Sequence, residues 1–161
     1  PAGGRRLEAA RVGRAGRLEL PEREAREPQD LHGALSDWLA VRALAPQTVD
    51  SWLGEARCEI AQGEPARALD TLAPLGERRE GLGLRALASA LLGDDVAALA
   101  AATTSLAGGR DLEARLARAI VLARRGEVEA AVPLFDAADA ELAHFGASHP
   151  WRLLSSAHRP R

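Results

Sequence analysis

Two carboxylates one helical turn apart, Glu55 and Glu59, stand in the segment "TVDSWLGEARCEIAQG". Paired carboxylates on one face are what general acid–base catalysis or half of a carboxylate metal site requires. Cys58 lies between them and is the chain's only cysteine. A lone thiol excludes an intrachain disulfide and a Cys-based metal site. With no His near it on its own helix, Cys58 lacks the base that a nucleophile needs, and it reads as a small buried residue. His144, His149 and His158 lie close together in sequence. Their spacing is not the i, i+4 of helical ligand pairs, and no Cys or nearby carboxylate completes a set. They read as exposed or capping histidines. The glycines of "PAGGRR" and "LAGGRDLE" are not phosphate loops, since no strand precedes them and no Gly-Lys-Ser/Thr follows. The second is a hairpin connection with Asp111 placed to cap the next helix. These residues predict no catalytic group, no metal and no cofactor. An enzyme using Glu55 and Glu59 is the outsider, and a solvated or ion-paired face the plainer reading.

The elements that carry these residues are helices. The chain has 161 residues and 47% hydrophobic content, of which only 3% is aromatic, with no Met or Tyr. Ala and Leu dominate and head the helix scale, while β-branched and aromatic residues are scarce, so a sheet is improbable. One domain suits this length. Such a chain can bury roughly two-thirds of the surface it exposes unfolded. All 21 basic residues are Arg, and the net charge is −2. That balance argues against a general nucleic-acid binder. Residues 1–28 carry seven Arg and five Glu (+2), residues 29–142 eleven Arg and eighteen acids (−7), and residues 143–161 three Arg (+3). A solvated helical surface accounts for the acidic middle; a preference for basic or neutral partners is the sharper alternative. No apolar run approaches the roughly 20 residues of a membrane span. The N-terminus lacks the apolar segment of a secretory signal, so the expected location is cytoplasmic.

Internal periodicity organises the chain. "RGEVEAAVPLFDAADAEL" places Ala131, Val132, Phe135 and Ala138 on one stripe, and three earlier segments match it. They place Ala34, Leu35, Trp38 and Val41; Ala68, Leu69, Leu72 and Leu75; and Ala98, Leu99, Ala102 and Ser105. The small residues advance 34, 68, 98, 131, in steps of 34, 30 and 33, and Gly63, Gly93 and Gly126 lead three of the copies. Before each glycine lies another amphipathic stripe: Val49, Trp52, Leu53, Ala56, Ile60; Leu84, Leu87, Ala88, Leu91; and Leu112, Leu116, Ala119, Ile120, Ala123. Helix, glycine turn, helix at this period is a hairpin array, and one hairpin cannot bury its own stripe without neighbours.

The pattern resembles the tetratricopeptide repeat, a helix–turn–helix unit. In the best copy Trp52 fits the early Trp, Ala56 the small residue, Gly63 the turn, Ala68 the crossing residue and Leu72 the large one. Ala119, Gly126, Ala131, Phe135 and Ala138 fit the last full copy, and Trp38 and Pro46 the second half of an earlier one. The resemblance covers 29–142 and implies an all-α stack of helical hairpins, a TPR-like α-solenoid. Two departures stand out. The middle copy is 30 residues long with Ala102 where a large side chain usually packs, which predicts a close helix approach or a locally mobile element. Glu55, Arg85 and Arg118 occupy a position the family usually buries, with Glu59 one turn on. An unpaired buried charge would be costly. Either the helices turn these side chains to solvent, which the apolar stripes favour, or Glu55 and Glu59 pair with Arg on neighbouring helices.

At the ends, residues 1–28 read as a degenerate N-terminal half-repeat, in which Leu7, Ala10, Arg11 and Arg14 give a helix weakened by Gly13 and Gly16, and Pro21 opens a short helix, with Glu22 and Glu24 at its start, that Pro28 closes. The last repeat helix extends to about Ala143 or His144 and stops at Gly146. Residues 147–158 form a capping helix with Ser148 as cap, Pro150 early and Trp151, Leu153 and Leu154 on one face; residues 159–161 are a basic tip free to be disordered.

The resemblance also implies a function: a non-enzymatic scaffold or adaptor that holds a peptide or helix of another protein in a concave groove. Carried over by position, the groove residues are Leu53, Arg57, Ile60, Leu87, Leu91, Ile120 and Arg124. Such a surface, aliphatic with two guanidiniums, suits an amphipathic helix or an extended peptide bearing a carboxylate. The alternative is that Leu53, Ile60, Leu87 and Ile120 are simply core. A second functional reading is a regulatory or dimerisation module, with a homodimer as its assembly. The tail "AHFGASHPWRLLSSAHR" is similar to the ends of helical-repeat segments in some large bacterial transcription regulators. No helix-turn-helix reader is evident, so direct nucleic-acid contact is not expected, nor is membrane contact.

Overall fold

The computed structural model describes residues 11–12, 18–19, 31–46, 48–145 and 149–160. Most of the stretch read as an N-terminal half-repeat, with Ser148 and Gly146, lies outside the described residues. What is described there is an antiparallel ladder of two residues a side, Arg11 opposite Glu19 and Val12 opposite Leu18. It replaces the weak helix expected across those positions.

Eight helices make up the rest of the described chain: α1 Leu31–Leu44, α2 Val49–Ala61, α3 Pro65–Leu72, α4 Arg79–Leu92, α5 Asp95–Ala107, α6 Leu112–Arg124, α7 Val128–Leu142 and α8 Pro150–His158. Single 3-10 turns extend α3 through Ala73–Leu75 and α7 through Ala143–Phe145. The fold is helical, as the Ala/Leu bias requires. Each helix packs on the next in sequence, and α2, α4, α6 and α8 also touch one another in succession.

The three glycine turns share one geometry. Gly63, Gly93 and Gly126 have φ of 81°, 87° and 78°, the left-handed region that a Cβ disfavours. In each turn the next residue's N–H reaches back to a carbonyl five positions earlier: Glu64 to Glu59, Asp94 to Ser89 and Glu127 to Leu122, at 2.9, 3.0 and 2.9 Å. This is the Schellman closure, which satisfies the orphan carbonyls of a helix end and reverses the chain within two residues. The same three acidic residues then stand at the N-caps of α3, α5 and α7. Glycine here sets both the stop and the direction of the following helix.

Packing rests on small residues at the crossings. Ala56, Ala68, Ala86, Ala88, Ala90, Ala98, Ala102 and Ala131 are wholly buried. Small side chains let backbones approach closely, which is how α5 packs against both α4 and α6 through Ala98, Ala102 and Ser105. The thin middle copy is thus a close approach. α4 carries this furthest, with every residue from Gly81 to Ala90 except Arg85 buried. The core is one cluster from Leu53 to Trp151, and its two buried aromatic rings, Phe135 and Trp151, lie at the C-terminal end.

Trp38 shows how a glycine positions α1. A Cβ at Gly54 of α2 would collide with the six-membered ring of the Trp38 indole. The ring is rigid, so Gly54→Ala must push α1 away from α2. Overpacking of this kind costs about 1–2 kcal/mol. Thermal unfolding of Gly54→Ala should register that loss, and Trp38→Leu in the same background should recover part of it.

Candidate interaction surface

The seven groove residues separate sharply once the helices are packed. Leu53, Ile60, Leu87 and Ile120 are 7%, 2%, 0% and 1% exposed. They join α2, α4 and α6 to one another and offer a partner no face; they are core. The physical reason is that α4 and α6 are covered by neighbours on several sides, so a residue on the expected inner stripe still meets protein. Leu91 is half-buried, and Arg57 and Arg124 reach the surface.

Both guanidiniums are already engaged. Arg57 Nε donates to Glu113 Oε1 at 3.1 Å, tying α2 to α6 although α4 packs against both. Arg124 Nη1 donates to the Ala90 carbonyl at 2.9 Å, its Nη2 binds Asp95, and Arg125 Nε joins the same carboxylate at 3.1 Å. The two arginines hold Asp95 below the usual carboxylate range, first through the Arg124 hydrogen bond. The exposed positions of the set therefore carry ion pairs, Arg57 with Glu113 and Arg124 with Asp95, where a largely aliphatic groove with two guanidiniums was expected.

Glu55 and Glu59 do not reach solvent, contrary to the expectation of helix rotation. They are 5% and 2% exposed. Glu55 accepts from Arg42 of α1, whose guanidinium also lies 4.5 Å over the Trp52 ring. Glu59 pairs with Arg67 of α3 at 3.4 Å, and its second oxygen has no hydrogen-bond partner. Burial raises the Glu55 carboxyl, the Arg42 charge opposes this, and Glu59 raises it further. Arg85 is partly buried, donating to the Leu72 carbonyl at 3.0 Å, while Arg118 alone of the set is exposed. Cys58 between the two acids is buried, and burial first, then Glu59, pushes its thiol up to about 11. A thiol so placed stays protonated at neutral pH and is a poor nucleophile. Among the described residues no group of three or more His, Cys, Asp or Glu suits a metal ion.

His149, not Ser148, is described as the cap of α8. Its Nδ1 accepts from the Trp151 N–H at 3.3 Å, and its ring lies 5.4 Å from Phe145 and 6.0 Å from Trp151 between centroids. Burial lowers its pKa; Glu113 opposes this, while Arg57 and Arg152 add to it. The closeness of Glu113 and Arg57 places the start of α8 beside the α2–α6 ion pair. Protonated imidazole cannot accept at Nδ1, so the cap exists only in the neutral form. Because the folded pKa is depressed, this stability is present above about 6.5 and is lost as pH falls through the folded value. His149→Asn, which caps without titrating, should remove this pH dependence, and His149→Ala should lose about 0.5–1 kcal/mol at pH 7.5. Thermal unfolding across pH 5–8 separates the three proteins.

Arg159 of the basic tip is likewise tied down. Arg159 bonds Asp139 at 2.9 Å and also Asp136, and Ser155 Oγ donates to Asp139 at 2.7 Å. Sequence reading missed this clamp; of the two roles it left to the histidines, exposed or capping, His149 takes the cap, at the position next to the expected Ser148. A C-terminal Arg facing two acids three residues apart on a helix was the available signal for the clamp. Asp111, by contrast, caps α6 as its position implied, accepting from the Ala114 N–H at 2.9 Å. No described helix is long and apolar enough to cross a membrane. Comparison with protein families, with curated proteins and with solved structures returns no match to this chain.

Proposed function

We propose that this chain is a non-enzymatic scaffold, a TPR-like α-solenoid that binds another protein. What carries the reading is the recurrence of one Schellman turn at Gly63, Gly93 and Gly126, each joining a helix of the α2, α4, α6, α8 succession to the helix that follows it. A repeated hairpin with a shared core presents one long surface and has no need of a cofactor. The partner contacts the polar inner lip of Arg57, Glu113, Leu91 and Arg124, with the four aliphatic residues beneath it as support. A native lysate passed over wild type, Arg57→Glu and Arg124→Glu tests this. A protein retained by wild type and released by both variants supports the surface; equal recovery on all three removes it.

A second reading has its own observation. Leu39 and Leu44 on α1 are 43% and 85% exposed, and Phe145 and Leu153 near the C-terminal end are 58% and 77% exposed. Apolar side chains at both ends suit a homodimerisation or regulatory module within a larger bacterial system, the transcription-regulator resemblance included. Light scattering decides, since a strict monomer at high concentration removes the dimer.

A further inference from the structure

Helix α1 sits on α2 through a few specific contacts. Trp38 and Arg42 stand one turn apart on α1, so both point to one face. The Trp38 indole fills the notch left by the missing side chain of Gly54. One residue on, Glu55 accepts the Arg42 guanidinium, which also lies 4.5 Å over the Trp52 ring. The Glu55 side chain is 6% exposed, so the seat holds a buried carboxylate that needs a cation. The seat thus asks for a flat ring and, one turn later, a guanidinium.

The rest of α1 is loosely held. None of its described side chains is fully buried, and it packs chiefly against α2, whereas α4 is covered on several sides. Four residues, 45–48, join it to α2, and fully extended they span roughly 13–14 Å. Opening that link breaks the bonds from the Thr48 N–H and hydroxyl to the Ala45 carbonyl, at 3.1 and 2.9 Å, which water replaces. An opened α1 leaves Glu55 and Trp52 without their cation and Gly54 without its ring. A helix of the same chemistry refills the seat, and every other copy of this chain carries one.

We propose that α1 is an exchangeable arm, and that its seat on α2 also takes α1 of a second copy, with Trp38 in the Gly54 notch and Arg42 on Glu55. Exchange is reciprocal, so one twofold particle fills both seats, and the second docking is intramolecular. The same contacts form within one chain or between two. The effective concentration of the linked helix, on the order of millimolar, therefore sets the balance. The proposal rests on the homodimer reading only in making the partner a second copy; its contacts are those of the Gly54–Glu55 seat, where that reading uses the exposed apolar ends.

Charge reversal tests it with the full chain. Arg42→Glu and Glu55→Arg each set like charges together in every arrangement of the pure protein, whether α1 stays or exchanges. Mixed, they fill both seats only by exchange: reversed helix on reversed seat, native helix on native seat. Light scattering below the millimolar range should show a two-chain particle in the mixture, roughly tenfold or more tighter than either variant forms alone, because a buried pair is restored. Both reversals in one chain restore the pair internally and should return a monomer. Gly54→Ala, whose seat rejects the Trp38 ring, should likewise dimerise more when mixed with Trp38→Leu than alone. Where a variant is unfolded alone, helicity gained on mixing supports exchange and no gain overturns it. The proposal is also overturned by mixtures that behave as the sum of their parts, by either reversed variant dimerising alone as tightly as the mixture, or by equal dimerisation of the doubly reversed chain. A blocked, unrelated helical peptide with Trp and Arg four residues apart, bound by variants whose mixture stays monomeric, would assign the seat to a foreign helix and sink exchange. A wild type that stays monomeric at high concentration removes the dimer through the apolar ends and leaves the mixing result standing.

Discussion

Phe135→Ala should lower the unfolding free energy by about 3–5 kcal/mol, the range for deleting a fully buried aromatic ring. Phe135 is 0% exposed on α7, which packs against both α6 and α8. Phe135 shares one buried cluster with Leu116, Ile120, Leu142 and Trp151, so removing the ring leaves a void inside packed core. The chain contains its own control. The only other Phe, Phe145, is 58% exposed, and Phe145→Ala should change stability by no more than about 0.5 kcal/mol apart from its ring contact with His149. Urea unfolding of the two variants gives the comparison. A loss below about 1 kcal/mol for Phe135→Ala would mean that α7 does not present this face to the core.

Arg42→Ala should cost about 2–3 kcal/mol at pH 7, somewhat below the usual loss on breaking a buried pair, because the Arg42 side chain is 31% exposed and water can partly replace it. The damage is to Glu55, left charged at 6% side-chain exposure with Glu59 one turn away. The pH dependence identifies the cause. Glu55 already has a raised pKa, and losing Arg42 removes the charge that holds it down. A carboxyl whose folded pKa is raised binds its proton more readily folded than unfolded, so stability falls as pH rises through that window. The variant's deficit should therefore shrink as pH is lowered from 7 toward 5. A deficit independent of pH would assign the loss to packing over Trp52. Arg42→Ala combined with Glu55→Leu should recover most of the stability, since a buried ion pair is often replaceable by apolar packing.

The parts of the fold legible in the sequence were those written locally. Gly63, Gly93 and Gly126 mark turns because positive φ is costly for other residues, and the stripes around Ala68, Ala98 and Ala131 mark buried faces because helical period is a property of neighbours in sequence. Asp111 was readable for the same reason. The surface was not legible. A stripe containing Leu53, Leu87 and Ile120 states that one face avoids water, but says nothing of how many helices cover it, and α4 is enclosed almost completely. Glu55 was misjudged because its partner, Arg42, lies thirteen residues away on another helix, a pairing no helical period reveals. His149 caps through a ring nitrogen; capping was one of the two roles left open for the histidines, but the cap of this helix was placed on Ser148 because hydroxyls are the commoner choice.

Enclosure of α4 also has a consequence in time. Its amides can exchange with solvent only when several helices part together, since α2, α3, α5 and α6 all lie against it. α1 has no fully buried residue among its described side chains and packs chiefly against α2. Local opening follows the density of such contacts. Hydrogen exchange should therefore run as a gradient, fast in α1 and slowest in the middle of α4, so that the chain melts from its N-terminal end while the alanine crossings around Ala86 and Ala90 stay closed.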